Sequence, residues 1–402
     1  MKQFFENKRL IIYGTGNVGN AFYSHYANEL KIDFCTSSNP SEDTIGNLIR
    51  ITLQELDYCN DYLIICSGYY ETIRSHLIEY GWKPIENFMN SILFEQLVSS
   101  IDKKLVVCIG QCEVEEISKV LRCVPGFYEK FAIACYSDLN LYEQELSYDL
   151  GCALECRCIM SVADFFIQPV IMRPGLSNLY SNYRKFLKEN AETIVISLFH
   201  FESYWPQDKA ETRETSKMYM VGANEKVGAY CECDQIMEEL IRAGMTPEDA
   251  VLLVMDDNFF DTKDIIERHS NNIKRIRLMD RLADVKILDY VEKNYKRIKL
   301  FCDRGHFSKE VLKEYTRRLL EIFKVEYNEE CLDNFDYNLI FNNVNEFPIY
   351  PSAAKILGLE FIDESTKYHM QTFQGWVDVS FREYMLKLAE YYSYVFAIRR
   401  NC

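Results

Sequence analysis

Leu105-Val106-Val107-Cys108-Ile109-Gly110-Gln111-Cys112-Glu113 is the stretch on which the reading of this chain turns. Residues 105–109 are an apolar run of strand-forming type, and Gly110-Gln111 stops it. Helical periodicity then sets in from Glu113 through Ile117, Val120 and Leu121. Strand, tight turn and helix in that order place Cys112 at a helix N-terminus. Unpaired backbone N–H groups and the positive end of the helix dipole converge there. Both favour a thiolate over a thiol. The same N–H groups suit an oxyanion or a phosphate. The plain alternative is that Cys112 is one more small, half-buried residue in a cysteine-rich chain.

The same grammar occurs upstream. Arg9-Leu10-Ile11-Ile12-Tyr13 reads as a strand, Gly14-Thr15-Gly16-Asn17-Val18-Gly19 as a glycine-rich turn, and the residues to about Leu30 as a helix. Strands follow at 32–35 and 62–66, a short helix at 53–56 and a helix at 71–80, giving the βαβαβ half of a doubly wound sheet. Gly14 serves the sharp turn, Gly16 lets backbone approach a phosphate, and Gly19 lets the helix pack close. Together with Asn17 and Val18 they are the nucleotide-binding candidates of this module, for NAD or another nucleotide. The fingerprint is incomplete, because the second strand ends in Cys35-Thr36-Ser37-Ser38, where a ribose-binding acid belongs, and Asp33 falls inside the strand. The module resembles small Rossmann-like units found beside sugar-modifying and capsule-biosynthesis domains, which bind a nucleotide or act as scaffolds.

A polar stretch around 98–104 separates this module, residues 1–98, from a second domain, residues 103–402. Strands are expected at 131–136, 165–168 and 193–198, with a helix at 179–187. Past residue 230 helices dominate, at 236–242, 247–254, 265–282 and 311–323, and an apolar face at 381–398 is expected to dock on the core. The fold class is therefore α/β: an N-terminal Rossmann-like half domain, then an α/β domain that becomes mainly helical toward the C-terminus.

Composition narrows the functions. The chain has 402 residues and a formal net charge of −16, which disfavours nucleic acid or an anionic membrane as main partner. No apolar stretch approaches the ~20 residues of a membrane span. The opening residues lack a signal-peptide core, so the expected location is cytoplasmic. The 15 cysteines then read as reduced thiols. Cys152, Cys156 and Cys158, and Cys231 and Cys233, lie close in sequence but match no metal-knuckle spacing, so no metal is expected.

Of six histidines, His25, His76 and His269 lie in helical stretches and His369 in an irregular one. His200 and His306 follow short β-type runs, on the loops where α/β folds collect working groups. A cysteine and a histidine so placed suit a nucleophile–base pair.

Four blocks carry a resemblance. They are Gly110-Gln111-Cys112-Glu113, then Ala163-Asp164-Phe165-Phe166-Ile167-Gln168-Pro169-Val170, then 197–206 with His200 and Tyr204-Trp205-Pro206, and finally Arg304-Gly305-His306-Phe307-Ser308. With a closing segment from Pro348 to Leu359, they make residues 105–361 similar to the WcbI family of capsular-polysaccharide biosynthesis proteins. The resemblance implies a bacterial, coenzyme A-dependent O-acetyltransferase acting on a capsular or surface-polysaccharide sugar. Cys112, His306 and Gln111 would be catalytic. His306 would be the general base, and Gln111 with the turn N–H groups would hold the oxyanion. Gly110, Glu113, Gln168, His200, Tyr204, Arg304 and Lys309 would line the donor and acceptor sites, and Lys103-Lys104 would add charge for the donor phosphates. The partner is a sugar or polysaccharide precursor, with a homo-oligomer left open. The family pattern departs at three places: Gln111 replaces Asn, Glu113 replaces Gln and sets a carboxylate beside the thiol, and Phe307 replaces Pro and frees the following backbone. Two other readings stand beside this one. One is a nucleotide-sugar or NAD-binding sugar-modifying protein using the first module, which lacks a Tyr-x-x-x-Lys relay. The other is a non-catalytic assembly protein.

Overall fold

The computed structural model describes residues 5, 7–28, 30–38, 44–91, 93–94, 103–138, 156–157, 159–171, 174–207, 234–341, 344–372 and 375–400. Contacts divide the chain into two compact units. The first is Met1–Val195 with Val325–Tyr327, and the second is Ile196–Lys324 with Asn328–Cys402. The boundary read from sequence at 98–103 falls inside the first unit, and residues 95–102 lie outside the described set.

The first unit is built on two sheets. Strands β1 (Arg9–Tyr13), β2 (Ile32–Thr36), β3 (Ile49–Arg50), β4 (Asp61–Ile65) and β5 (Phe88–Asn90) form one sheet in the order β3-β2-β1-β4-β5. All its pairings are parallel. Residues alternate across it. Leu10, Ile12, Tyr62 and Ile64 enter one apolar cluster, and Ile11, Tyr13, Leu63 and Ile65 enter another. That two-sided burial explains why β1 and β4 read as unbroken apolar runs rather than alternating ones. The second sheet holds β6 (Lys104–Gly110), β7 (Phe131–Ser137), β8 (Phe165–Pro169) and β9 (Glu192–Ile196) in the order β7-β6-β8-β9, with β6 parallel to both neighbours. Leu105, Val107 and Ile109 join the same cluster as Leu10 and Ile12, so the two sheets share one core.

The second unit is mainly helical. Helices span Gln235–Arg242, Pro247–Val254, Thr262–Asp280 and Lys309–Ile322, close to the expected bounds. The long helix Phe381–Arg400 buries Tyr384, Met385, Leu388 and Tyr392 against Met237, Ile241, Val251 and Val254, so it docks as its apolar face implies. Two features depart from expectation. His369 lies not in an irregular stretch but on an antiparallel hairpin, β10 (Lys367–Thr372) and β11 (Gly375–Ser380), paired with Asp378. The run before His306 makes only an isolated bridge, Phe301 to Phe307, because the chain turns back after Cys302. No helix among the described residues is long and apolar enough to cross a membrane.

Candidate functional site

In the first unit, β6 ends at Gly110, Gln111 caps the helix Cys112–Arg122, and Cys112 is its first residue. The helix packs so closely that a Cβ on Gly110 would lie 2.2 Å from Val114 Cγ2, so only glycine fits there. No side chain caps the helix end at Gln111, and Cys112 is exposed. This is the C-terminal edge of a parallel sheet, where α/β folds bind ligands. Glu113 faces the other way. It is buried, and its charge reaches Tyr180, whose hydroxyl donates to Asp138 Oδ2 at 2.8 Å. Burial first, then the Asp138 carboxylate, push the Tyr180 phenol far up. Adjacent residues thus serve opposite surfaces: the carboxylate at 113 belongs to the interior, and the thiol at 112 to solvent.

Gln168, one residue before the end of its strand, is buried, with Oε1 accepting from Arg184 Nε at 2.9 Å. Lys103 and Lys104 are at the wrong end for the expected role. They sit at the start of β6, a seven-residue strand, hence about 20 Å along it from Gly110. Their ammonium groups lie over the rings of Tyr128, at 3.7 Å, and Phe165, at 5.5 Å.

The glycine-rich turn of the first sheet has the expected backbone. Gly14 has φ +113°, and a Cβ there would meet Cys66 O at 2.5 Å; one on Gly19 would meet Gly14 O at 2.0 Å. A Cβ on Gly16 would meet nothing within 4 Å, and Asn17 and Val18 beside it are exposed. At the end of β2, Thr36 Oγ1 donates to Ile51 O, and Asp33 is exposed.

In the second unit, His306 is fixed by Asp303. The imidazole Nδ1 is 2.5 Å from Asp303 Oδ2, while Asp303 Oδ1 accepts from the backbone N–H groups of Gly305 and His306, both at 2.7 Å. Burial alone would raise the Asp303 carboxyl, but the hydrogen bonds and charge of His306 outweigh it and hold the group below its ordinary value. Engagement of Nδ1 by the carboxylate sets the orientation of the ring. Sequence reading noted the turn but missed the pairing; an Asp three residues before a His across a glycine turn was the available signal.

Phe307 does not loosen the backbone as expected. It is fully buried, stacks on Tyr315 with centroids 5.2 Å apart, and is followed by a Ser308 N–H bonded to Leu300 O. His200 lies against the same turn, since a Cβ on Gly305 would come 3.8 Å from His200 Nε2. Its carbonyl accepts from Asn272 Nδ2 and Arg275 Nη2, at 2.9 and 2.8 Å. The Arg304 carbonyl accepts from Phe201 N–H, and Lys309 is exposed at the start of its helix. Tyr204 is placed as a core residue. It is fully buried among Phe201, Trp205 and Phe301, its hydroxyl donates to Tyr295 O, and burial drives its phenol far up. Of the clustered cysteines, Cys152, Cys158, Cys231 and Cys233 lie outside the described residues, and Cys156 is buried.

Residues 105–328, more than half of the chain, match the family model described as the polysaccharide biosynthesis enzyme WcbI. The chain belongs to the WcbI family. The match holds Cys112, Gln168, His200 and His306 but stops before the Pro348–Leu359 segment. A solved structure of WcbI, described as a novel polysaccharide biosynthesis enzyme in a native form without a disulfide bond between coenzyme A and a cysteine, is similar to this chain. Its TM-score is 0.51 at 13% identity, covering 73% of this chain and 93% of that one. At that identity the likeness speaks for the fold. No curated protein matches significantly.

Proposed function

We propose that this WcbI-family chain is an acyltransferase that moves an acetyl group from coenzyme A to a sugar hydroxyl of a capsular or surface-polysaccharide precursor in the cytoplasm. The observation that carries the reading is the Asp303–His306 pair, a histidine whose ring is oriented through Nδ1 by a buried carboxylate. In the proposed reaction Nε2 of His306 takes the proton from the sugar hydroxyl. The hydroxyl oxygen attacks the thioester carbonyl, the new C–O bond forms, the C–S bond breaks, and the proton passes to the departing thiolate. Cys112 and Gln111 stand at an uncapped helix N-terminus, whose N–H groups suit the thioester oxygen as charge develops on it. The description of the solved WcbI structure, a form without a disulfide bond between coenzyme A and a cysteine, supports that donor.

The test is release of free coenzyme A from acetyl-CoA by the purified chain, with and without nucleotide-activated sugars. The expected result is sugar-dependent release that falls at least about 100-fold in His306→Gln. Unchanged release in that variant overturns the reading.

A further inference from the structure

The helix Thr262–Asp280 carries a polar stripe at positions 264, 267, 268, 271, 272 and 275, a spacing that puts all six on one face. That stripe, with Glu202, Pro206 and Phe260, lines a groove of about 630 Å³ in the second unit, within the usual span of small-molecule sites, roughly 300–1,000 Å³.

The charges in the groove are unequally committed. Arg268 is directed at three backbone carbonyls, those of Glu202, Trp205 and Pro206, at 3.3 to 3.4 Å. Arg275 bonds His200 O and the Glu202 carboxylate, at 2.8 and 3.0 Å. Both guanidinium groups therefore hold the 200–206 loop. Asp264, Glu267 and Asn271 are exposed on the stripe. Hydrogen-bond acceptors outnumber uncommitted cations, which repels phosphates and carboxylates and suits a ligand that donates many hydrogen bonds. Phe260 adds a partly exposed apolar ring, the surface on which the C–H face of a sugar ring rests. The groove also touches the histidine turn through one layer of residues. Asn272 and Arg275 bond the carbonyl of His200, and His200 lies against Gly305, the neighbour of His306.

We propose that this groove binds an uncharged sugar unit of the acceptor beside the unit that reacts, with Glu267 and Asn271 receiving and giving hydrogen bonds to its hydroxyls and Phe260 under its ring. The inference rests on the chain being a sugar-modifying enzyme but not on the identity of its donor. Saturation-transfer NMR on the full chain, with methyl glucoside and methyl glucuronide as probes, tests it. Saturation of the glucoside is expected, at least tenfold weaker binding in Asn271→Ala and Glu267→Gln, and at least tenfold weaker binding of the glucuronide by the unaltered chain. Both substitutions fall at exposed positions, so the variants keep their fold, and acetyl-CoA affinity in parallel titrations should stay within twofold. No glucoside signal, or unchanged affinity in both variants, overturns the groove. If acetyl-CoA still binds, only the groove fails and the acyltransfer reading survives. Glucoside binding at the groove without acetyl-CoA binding upholds the groove and removes the donor.

Discussion

The thiol turn of the first unit and the histidine turn of the second are fixed by different means. At Gly110–Cys112 the backbone does the work: a strand ends, a glycine lets the helix come within contact of Val114, and the thiol is presented at the helix start. At Asp303–His306 side-chain hydrogen bonds do it: one carboxylate gathers two backbone N–H groups and an imidazole, and the fully buried Phe307 pins the far side. The first device tolerates many side chains at position 112 and depends on having none at 110. The second depends on the identity of residue 303. Backbone position is set in the one and ring orientation in the other, and general-base chemistry needs the latter.

The largest expected effect separates the two turns as working parts. His306→Gln should lower acetyl transfer at least about 100-fold without lowering Tm, whereas Cys112→Ala, which keeps the turn N–H groups, should lower it by less than about tenfold. An equal loss in the two variants would mean that the thiol itself takes part in the transfer.

Next in size is Gly110→Ala. Overlap with Val114 should cost about 1–3 kcal/mol in urea unfolding. Gly16→Ala, where the new carbon meets nothing, should change stability by no more than about 0.5 kcal/mol. Equal costs at the two glycines would break the claim that backbone closeness defines the thiol turn.

Asp303→Asn should cost about 1–3 kcal/mol by weakening hydrogen bonds to a buried acceptor. It should also alter acid stability. The folded Asp303 carboxyl lies below its ordinary value of 3.8, so its contribution is complete above that pH and is lost as the pH falls through the lower folded value. Unfolding curves of the unaltered chain should show that loss below about pH 4, and those of the Asn variant should lack it. The smallest effect is expected at Tyr204→Phe, about 1 kcal/mol for the bond to Tyr295 O, with transfer unchanged. A large loss of transfer there would return Tyr204 to the site.

What could be read from sequence follows the same division. Long elements with one strong period, such as β1, β4, β6 and the helix Phe381–Arg400, were legible because burial imposes their pattern. The short β3 and β5 were not, since two or three residues carry no period. The β10–β11 hairpin hid because one face mixes His369, Asp378 and Trp376 rather than plain polar residues. Cys112 could be placed from the strand–turn–helix order alone. The Asp303–His306 bond, the interior turn of Glu113, the burial of Tyr204 and the remoteness of Lys103 and Lys104 depend on tertiary packing, which spacing does not report.

The most direct test of the central claim uses three exposed thiols of the described residues as mutual controls: Cys59, Cys112 and Cys123. Cys112 and Cys123 sit at opposite ends of one helix, 11 residues long and so about 16 Å apart. Iodoacetamide labelling, read by peptide mass spectrometry with and without saturating acetyl-CoA, should show Cys112 protected at least tenfold and the other two unchanged. Labelling of Cys112 at the same rate in both conditions would contradict a donor site at this turn.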